Sequence, residues 1–516
     1  MEDVQKTKPS RKLRANVAIN LIRTLTMTLL SFLTFPYVTR ALGDQVFGLY
    51  TWANTFVYYF LVLAKISIPN IAIRECAKVK DDKDALSHKA QEFFILQAVM
   101  TLISLALESI IVFSVPSLRD NSTLIFLLSV NFVVGLFSFE WIYITLEKHF
   151  YITVRSIILI AICATMTFLF IRPTAYPINE LLPYAAITVS LTVLTAICNC
   201  FFLHRYISFK KTSPYQFKPY FKELSVLLFV SVFLTVYNQT DQFLLGYFDL
   251  SKSSVGAYSV GVKGIDIIIT LTTSLFTVFM PRANFYYGRP NKNAYVNLLR
   301  YSFNIVFFIA VPAIATMATM ATPITSLISG SNDAALGQYN DANLVLTILA
   351  AMMLTYSISD SIYTQILLPA KREKHYSIAL LIGVILNIGG SLLLGLLAFP
   401  DRPVIGVAIA TAFTDLVVVI YLIIVSRPYS LKAICDLNNL KIVIAGTLVG
   451  LFCGFLSPII SDALNQIGIE AWQSHLWTLL ICVSASAIIY LGFLFLTKER
   501  LVTMVVGKQK EVPDEQ

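Results

Sequence analysis

Three basic side chains, Arg23, Lys65 and Lys263, lie inside stretches of sequence that are otherwise suited only to lipid. A charge in the middle of a bilayer costs roughly 2.5–3.5 kcal/mol on insertion scales, so such side chains face protein or a water-filled cavity. Guanidinium and ammonium groups are the usual protein partners of phosphate and carboxylate oxygens. We therefore predict that the three residues line one central cavity and contact an anionic substrate.

Polar side chains recur at helical spacing around these charges, so several helices turn one polar face inward. Polar faces that meet in a membrane form an aqueous cavity. The predicted substrate-binding residues are Arg23, Lys65, Lys263, Asn20, Asn238, Asp241 and Asp266. The candidates for coupling an ion to transport are Asp241, Asp266 and Asp360. No catalytic residue, metal site or cofactor is expected.

A structural interpretation of the same charges stays open. Lys263 and Asp266 can neutralise each other on one helix, and Arg23 and Lys65 can snorkel to the cytoplasmic surface. Acidic residues outnumber basic ones within the predicted spans, so the count alone does not predict a cationic cavity; they are Glu108, Glu140, Asp241, Asp266, Asp360 and Asp415. Glu140 lies close to a predicted interface and is interpreted as structural.

The elements that position these residues are membrane-spanning helices. The 516 residues are 57% hydrophobic and 13% charged, whereas soluble proteins carry roughly 25% charged residues. Apolar blocks of about 20 residues suffice to cross a bilayer as helices, which satisfy their own backbone hydrogen bonds. The sequence predicts an all-α polytopic protein with 14 spans, at 15–38, 47–71, 93–115, 122–145, 155–171, 182–204, 224–247, 255–280, 301–328, 344–368, 377–399, 404–426, 441–460 and 476–497.

The distribution of positive charge predicts the orientation of these spans. Cytoplasmic loops of membrane proteins are enriched in Lys and Arg. With both termini inside, the loops on the outside hold only Arg40, Arg119, Arg172, Lys252 and Arg402 of the 39 basic residues. The net charge of +9 therefore belongs to short cytoplasmic loops and does not indicate a nucleic-acid partner. These loops are too short for a soluble catalytic domain, so we expect no enzyme activity.

An internal repeat relates two groups of six spans. "FGLYTWANTF" (47–56) aligns with "VGAYSVGVKG" (255–264) at an offset of 208, and this offset pairs Gly48 with Gly256 and Arg74 with Arg282. Six spans separate the copies, so both point the same way, as in parallel repeats with a site at their interface. The predicted domains are an N-lobe (1–210, spans 1–6), a C-lobe (211–430, spans 7–12) and an appendage (431–516, spans 13–14 and tail).

"FPYVTRALGDQVFGLY" (35–50) and "IAIRECAKVKDDKDAL" (71–86) resemble the bacterial polysaccharide transporter family, the Wzx-type flippases of lipid-linked oligosaccharide repeat units. The resemblance implies the multidrug/oligosaccharidyl-lipid/polysaccharide exporter fold and alternating access in the bacterial cytoplasmic membrane. It implies an undecaprenyl-diphosphate-linked glycan as substrate, with membrane lipid, a polysaccharide polymerase and other assembly proteins as partners. Relatives that flip lipid-linked precursors carry basic cavity residues on spans including 1, 2 and 8, where Arg23, Lys65 and Lys263 lie.

Other functions share this architecture and stay open. A flippase of peptidoglycan or teichoic-acid lipid precursors has the same spans, and only its substrate differs. A cation-coupled multidrug exporter of the same superfamily usually lacks the last pair of spans. A membrane glycosyltransferase or polymerase needs a large outside loop or a carboxylate cluster near an interface, and the sequence predicts neither.

Overall fold

The computed structural model describes residues 11–65, 67–173, 176–208, 210, 214–289, 292–330, 339 and 341–505. Side chains are described from Arg23 onward, apart from those of residues 226, 229–230, 275–278 and 505. The regular elements in these ranges are helices, and no β-strand occurs among them. The all-helical class predicted from the sequence is therefore confirmed.

The helices follow the apolar blocks of the sequence. The first part of the chain forms α1 (Arg11–Lys65), α2 (Ile68–Ala77), α3 (Lys83–Ser114), α4 (Pro116–Arg119), α5 (Ser122–Gly135), α6 (Glu140–Thr145), α7 (His149–Phe170) and α8 (Leu181–Leu203). The rest forms α9 (Lys218–Phe248), α10 (Ser253–Tyr287), α11 (Lys292–Thr319), α12 (Ala321–Ser329), α13 (Ala342–Leu349), α14 (Met352–Ile362), α15 (Glu373–Leu392), α16 (Pro403–Val425), α17 (Arg427–Ile434), α18 (Leu437–Gln466), α19 (Ala471–Leu496) and α20 (Arg500–Val505). Two π-helical turns, Tyr363–Leu367 and Leu393–Ala398, extend α14 and α15.

Eleven helices in the described ranges are long and apolar enough to cross a membrane, and up to 12 if a bent pair counts as one span. The bent pair is Ala342–Leu349 with Met352–Leu367, which meet at 41°. The first two predicted spans share α1, on either side of a kink at Gly43, whose φ of 69° places it in the left-handed region that favours glycine. The protein is thus a multi-pass membrane protein, and the count of 14 stays a prediction.

The chain forms two compact units: Met1–Leu42 with Leu49–Gln239, and Gly43–Gly48 with Thr240–Gln516. The division into lobes at 210 and 430 stays a prediction. In the first unit, a buried apolar cluster joins α2, α3, α6 and α8 through residues such as Ile71, Phe93, Trp141 and Leu203.

A buried glutamate ties the connector after α8 to the start of α3. Glu92 is fully buried, and it accepts hydrogen bonds from Lys89 Nζ at 2.7 Å, the Gln216 backbone N–H at 2.7 Å and the Tyr220 hydroxyl at 3.2 Å. A buried carboxylate is tolerated when several donors satisfy it. This arrangement fixes the first turn of α9 beside α3.

In the second unit, two glycines of the internal repeat face each other in a reciprocal contact. A Cβ on Gly48 would overlap the carbonyl oxygen of Lys252, and a Cβ on Gly256 would overlap that of Asp44. The offset of 208 relates Gly48 to Gly256 and Asp44 to Lys252. The contact therefore maps onto itself when the two copies are exchanged, as a two-fold repeat requires.

Small residues also attach the penultimate long helix of the second unit. Gly446, Gly450 and Gly454 of α18 lie against Val311, Ala315 and Thr319 of α11, each four residues apart. Stripes of small residues let membrane helices approach closely, and the gain is van der Waals packing. Helix α19 packs in turn on α18 and α12.

Candidate functional site

A cavity of about 440 Å³ opens among the helices of the first unit. Its volume lies within the usual range of ligand pockets, roughly 300–1,000 Å³. Helices α1, α5, α6, α7 and α8 contribute to its lining, and most of the lining residues are of polar or charged types. The polar lining residues are Arg23, Thr24, Thr28, Lys65, Asn131, Ser138, Glu140, Arg155, Ser156, Thr192 and Thr195.

One carboxylate serves two arginines in this cavity. Arg23 Nη1 donates to Glu140 Oε1 at 3.1 Å, and Arg155 Nη2 lies 3.3 Å from Glu140 Oε2. Arg155 Nη1 also donates to Asn199 Oδ1 at 2.5 Å. The Arg155 side chain is only 5% exposed, against 24% for Arg23. Arg155 is therefore held in place, whereas Arg23 presents part of its guanidinium to the cavity.

Lys65 completes the set of cations. It lies at the last residue of α1 and is exposed toward the cavity. Among the described residues, no hydrogen bond or ion pair holds its ammonium group, although the Glu140 carboxylate acts on it electrostatically. Among the described residues, the cavity thus holds three cationic side chains and one carboxylate, and it can accept further negative charge.

A break in the fourth predicted span aims Glu140 into the cavity. Helix α5 ends at Gly135, a short 3₁₀ turn covers Leu136–Ser138, and α6 begins at Glu140. Phe139 between them has a φ of 44°, a left-handed conformation that is uncommon outside glycine. Such backbone outliers cluster at functional sites. A straight helix through this segment would leave Glu140 in a different direction.

The structure brings together two of the predicted site residues and adds two. Arg23 and Lys65 line the same cavity, as do Glu140 and Arg155. The fifth predicted span begins at Arg155, whereas α7 begins six residues earlier, at His149. A charge at the edge of a predicted span is common, so the sequence carries no signal that distinguishes Arg155 from an ordinary loop residue.

The other predicted site residues lie on helices other than those that line this cavity, or their side chains are outside the part of the chain that the structure describes. The side chain of Asn20 is outside the described residues, and Asn238 is exposed on α9. Lys263 is half-buried and Asp266 is exposed, both on α10 of the second unit. Their place in the same cavity as Arg23 and Lys65 stays a prediction.

Asp241 occupies a buried polar site in the second unit. The Asn387 amide donates to Asp241 Oδ1 at 2.9 Å. The Tyr258 and Thr411 hydroxyls donate to Asp241 Oδ2, at 2.5 Å and 2.9 Å. Asp241 is 4% exposed, so its carboxylate does not face an open cavity. Asp360, the third candidate for ion coupling, is half-buried on α14, just before the first π-helical turn.

Known proteins resemble the chain in sequence. The family model described as "Polysaccharide biosynthesis protein" matches residues 13–284, and the one described as "MatE" matches residues 227–393. A protein of Escherichia coli (strain K12) named "Putative O-antigen transporter" is 25% identical over 144 residues, which is 28% of this chain. The match spans 35% of the length of that relative.

Solved structures show the same fold. "Lipid II flippase MurJ, inward closed conformation" superposes with a TM-score of 0.64 at 15% identity, over 95% of this chain and 100% of that chain. An inward-facing multidrug resistance MATE family transporter of the MOP superfamily gives 0.60 at 14% identity, over 80% of this chain and 98% of that chain. The polysaccharide model covers more than half of the sequence, and the chain therefore belongs to the polysaccharide biosynthesis protein family, within the multidrug/oligosaccharidyl-lipid/polysaccharide exporter superfamily.

Proposed function

We propose that the protein is a flippase for an undecaprenyl-diphosphate-linked oligosaccharide repeat unit. It moves this lipid from the inner to the outer leaflet of the bacterial cytoplasmic membrane by alternating access, for capsule, O-antigen or exopolysaccharide synthesis. Both termini are cytoplasmic in this proposal. The observation that carries it is the cavity of the first unit, in which three cations face one carboxylate.

The charge of the cavity suits a diphosphate headgroup. Each phosphate of a diphosphate diester carries a negative charge, and such a group cannot cross hydrocarbon unaided. Charge-assisted hydrogen bonds from Lys65 and Arg23 replace part of its hydration. A glycan attached to the diphosphate meets the hydroxyl and amide groups of the lining, such as Asn131 and Thr192. Lys263 of the second unit is a further proposed contact to the diphosphate or to an acidic sugar.

A second candidate is a flippase for peptidoglycan or teichoic-acid lipid precursors, because these lipids also join a prenyl chain to the headgroup through a diphosphate. The lipid II flippase superposes over 95% of this chain and the MATE transporter over 80%, and this difference in coverage supports a flippase over a multidrug exporter. A binding assay with lipid-linked headgroups that differ in their sugars separates these candidates.

Asp241, Asn387 and Thr411 are the proposed coupling site. All three are buried, and their groups are the oxygen-rich kind that holds a proton or a small hard cation. Among the described residues, Asn387 Oδ1 has no hydrogen-bond partner. A 180° flip of the Asn387 side-chain amide would exchange its nitrogen for its carbonyl oxygen and so add an oxygen ligand to the site. Asp266 and Asp360 remain proposed alternatives for the same role.

The test uses purified protein in liposomes with a lipid-linked oligosaccharide. Lys65→Ala removes an ammonium–phosphate contact worth about 1.5–3 kcal/mol, so binding should weaken about ten- to hundredfold. Lys65→Arg keeps the charge and should lose less. Lys80→Ala is the matched control, because Lys80 pairs with Glu147 at 2.8 Å in an exposed position outside the cavity.

The same assay decides the role of Lys263. If it contacts the substrate, Lys263→Ala and Lys263→Ala/Asp266→Asn should both bind and transport poorly. If the pair only neutralises itself, the double variant should bind and transport normally. If the Lys65→Ala variant binds the lipid-linked oligosaccharide as tightly as the wild type does, the proposed role of the cavity is wrong.

A further inference from the structure

A second cavity of the first unit is almost wholly apolar. It measures about 340 Å³ and lies among α2, α3 and α9. Ser225 is the one polar residue among the described residues that line it, and the apolar lining includes Ile68, Leu96, Met100 and Leu224. We call this apolar cavity the tail pocket, and the polar cavity lined by Arg23, Lys65 and Glu140 the substrate cavity. The two have opposite chemistry within one compact unit.

The tail pocket has a buried floor and an open rim. Ile68 and Leu224 are 0% and 8% exposed, whereas Val99 and Phe221 on the rim are 49% and 57% exposed. The lining residues of α3 and α9 fall at the cytoplasmic ends of the third and seventh predicted spans. The rim therefore opens toward the lipid of the predicted inner leaflet, and an alkyl chain can enter it from the side.

One lining residue of each cavity lies at an end of a helix beside the junction of α1 and α2. Lys65 lines the substrate cavity and Ile68 lines the tail pocket. Lys65 and Ile68 are three residues apart. Because consecutive Cα atoms are about 3.8 Å apart, the Cα atoms of these two residues lie at most about 11 Å apart. Ser67, with a φ of 53°, turns the chain between them, and its Oγ lies 2.9 Å from Ser231 Oγ of α9.

We propose that the tail pocket holds the first isoprene units of the substrate's lipid tail while the diphosphate lies in the substrate cavity. This inference rests on the proposed function, since it assigns the second half of the same ligand. In this arrangement the headgroup lies beside Lys65, and the lipid tail extends past the α1–α2 junction into the tail pocket. The contact distinguishes a prenyl diphosphate from a soluble sugar diphosphate, because only the former fills both cavities.

A membrane phospholipid is the alternative occupant. Lys218 and Lys222 are exposed at the start of α9, and basic residues on the cytoplasmic side attract any anionic headgroup. The proximity of Ile68 to Lys65 favours the substrate tail, because a diphosphate offers two anionic groups to the cations of the substrate cavity, whereas a phospholipid such as phosphatidylglycerol offers one. The experiment separates the two occupants.

The test fills the tail pocket with Met100→Trp. Leu102→Trp is the matched control on the same helix, since Leu102 is 66% exposed and does not line the pocket. Binding is measured in detergent for two ligands, a prenyl-diphosphate-linked oligosaccharide and the same headgroup with a methyl group in place of the prenyl chain. Met100→Trp should weaken binding of the prenyl ligand about tenfold or more, because several buried methylene groups lose their site. The methyl ligand should bind as in the wild type.

The outcomes separate the two proposals. If the wild type binds neither ligand, the proposed function fails. If it binds both and Met100→Trp behaves like Leu102→Trp, the tail pocket assignment is wrong. If Met100→Trp loses a co-purifying phospholipid, seen by native mass spectrometry, but keeps prenyl ligand affinity, the occupant is a phospholipid and the assignment is again wrong.

A second measurement applies if Met100→Trp does not fold. A photoreactive group on the first isoprene unit should label peptides containing 95–100 or 221–228 of the wild-type protein. Labelling confined to other helices would overturn the assignment.

Discussion

Glu140 forms ion pairs with two arginines of the cavity. Its two oxygens reach Arg23 and Arg155, so neither guanidinium is fully neutralised. Arg155 is almost completely buried and also holds Asn199, whereas Arg23 is more exposed. In the proposed function, an incoming anion competes with Glu140 for Arg23, and Arg155 is a positioning residue that keeps the carboxylate in place.

Asp241→Asn tests the proposed coupling site at the level of one residue. The amide is isosteric with the carboxylate, but it cannot take up a proton or bind a cation as strongly. We expect the variant to bind the lipid-linked glycan normally and to lose the dependence of transport on a proton or sodium gradient. Transport into liposomes with imposed gradients measures this.

Asp415→Asn is the matched control for removing a buried carboxylate. Asp415 is 1% exposed and accepts a hydrogen bond from Thr355. If Asp241→Asn lowers only protein abundance and keeps gradient dependence, Asp241 is structural. The same loss of gradient dependence in both variants would point to a general effect of charge removal.

The sequence predicts the exposed cations of the site better than the buried network behind them. Arg23 and Lys65 stand out because a charge in an apolar run is costly. Arg155 and Glu140 lie at the edges of predicted spans, where charges are common, so hydropathy alone gives no reason to place them in a cavity. Their pairing depends on a tertiary contact between α6 and α7 that no local pattern encodes.

Among the helices, breaks are harder to predict than the helices themselves. The kink at Gly43 occurs at a glycine, which tolerates a positive φ. The break before Glu140 has no proline, and Phe139 has a left-handed conformation there within a buried apolar cluster. Such a conformation persists only where the surrounding structure imposes it. The helix content follows from composition, whereas the direction of the Glu140 side chain does not.

The seam between α18 and α11 yields a graded prediction. A Cβ on Gly446 would overlap Val311 Cγ1, whereas on Gly454 it would lie 3.7 Å from Thr319 Cγ2, an ordinary contact. Gly446→Ala should destabilise the protein by about 1–3 kcal/mol through overpacking. Gly454→Ala should be neutral or slightly stabilising, because alanine favours helix. Thermal unfolding of the purified variants in one detergent measures the difference, and equal midpoints would contradict this seam.

For the whole molecule, the internal repeat makes two distant substitutions equivalent. Gly48→Ala and Gly256→Ala each place a Cβ against a carbonyl oxygen of the other copy. Both should separate the contact, and the double variant should do little more than either alone, because the sites are coupled. The readout is labelling of Val255→Cys, a fully buried position, by an impermeant thiol reagent in an otherwise Cys-free protein.

Gly492→Ala is the control, since nothing lies within 4 Å of a Cβ built there. Increased labelling with either Gly48→Ala or Gly256→Ala, but not with Gly492→Ala, is the expected result. Labelling that rises for one glycine and not for the other would argue against a symmetric contact.

The reciprocal glycine contact also has an entropic consequence. Closing an interface normally immobilises side chains, at about 0.5–1.5 kcal/mol for each flexible one. Gly48 and Gly256 have no side chain to order, and the atoms they approach are backbone carbonyls. If the contact opens and closes in every transport cycle, the two glycines themselves undergo no rotamer rearrangement. The speed of this step would then depend on the rigid motion of helices, and bulkier residues here would slow it even where they fit.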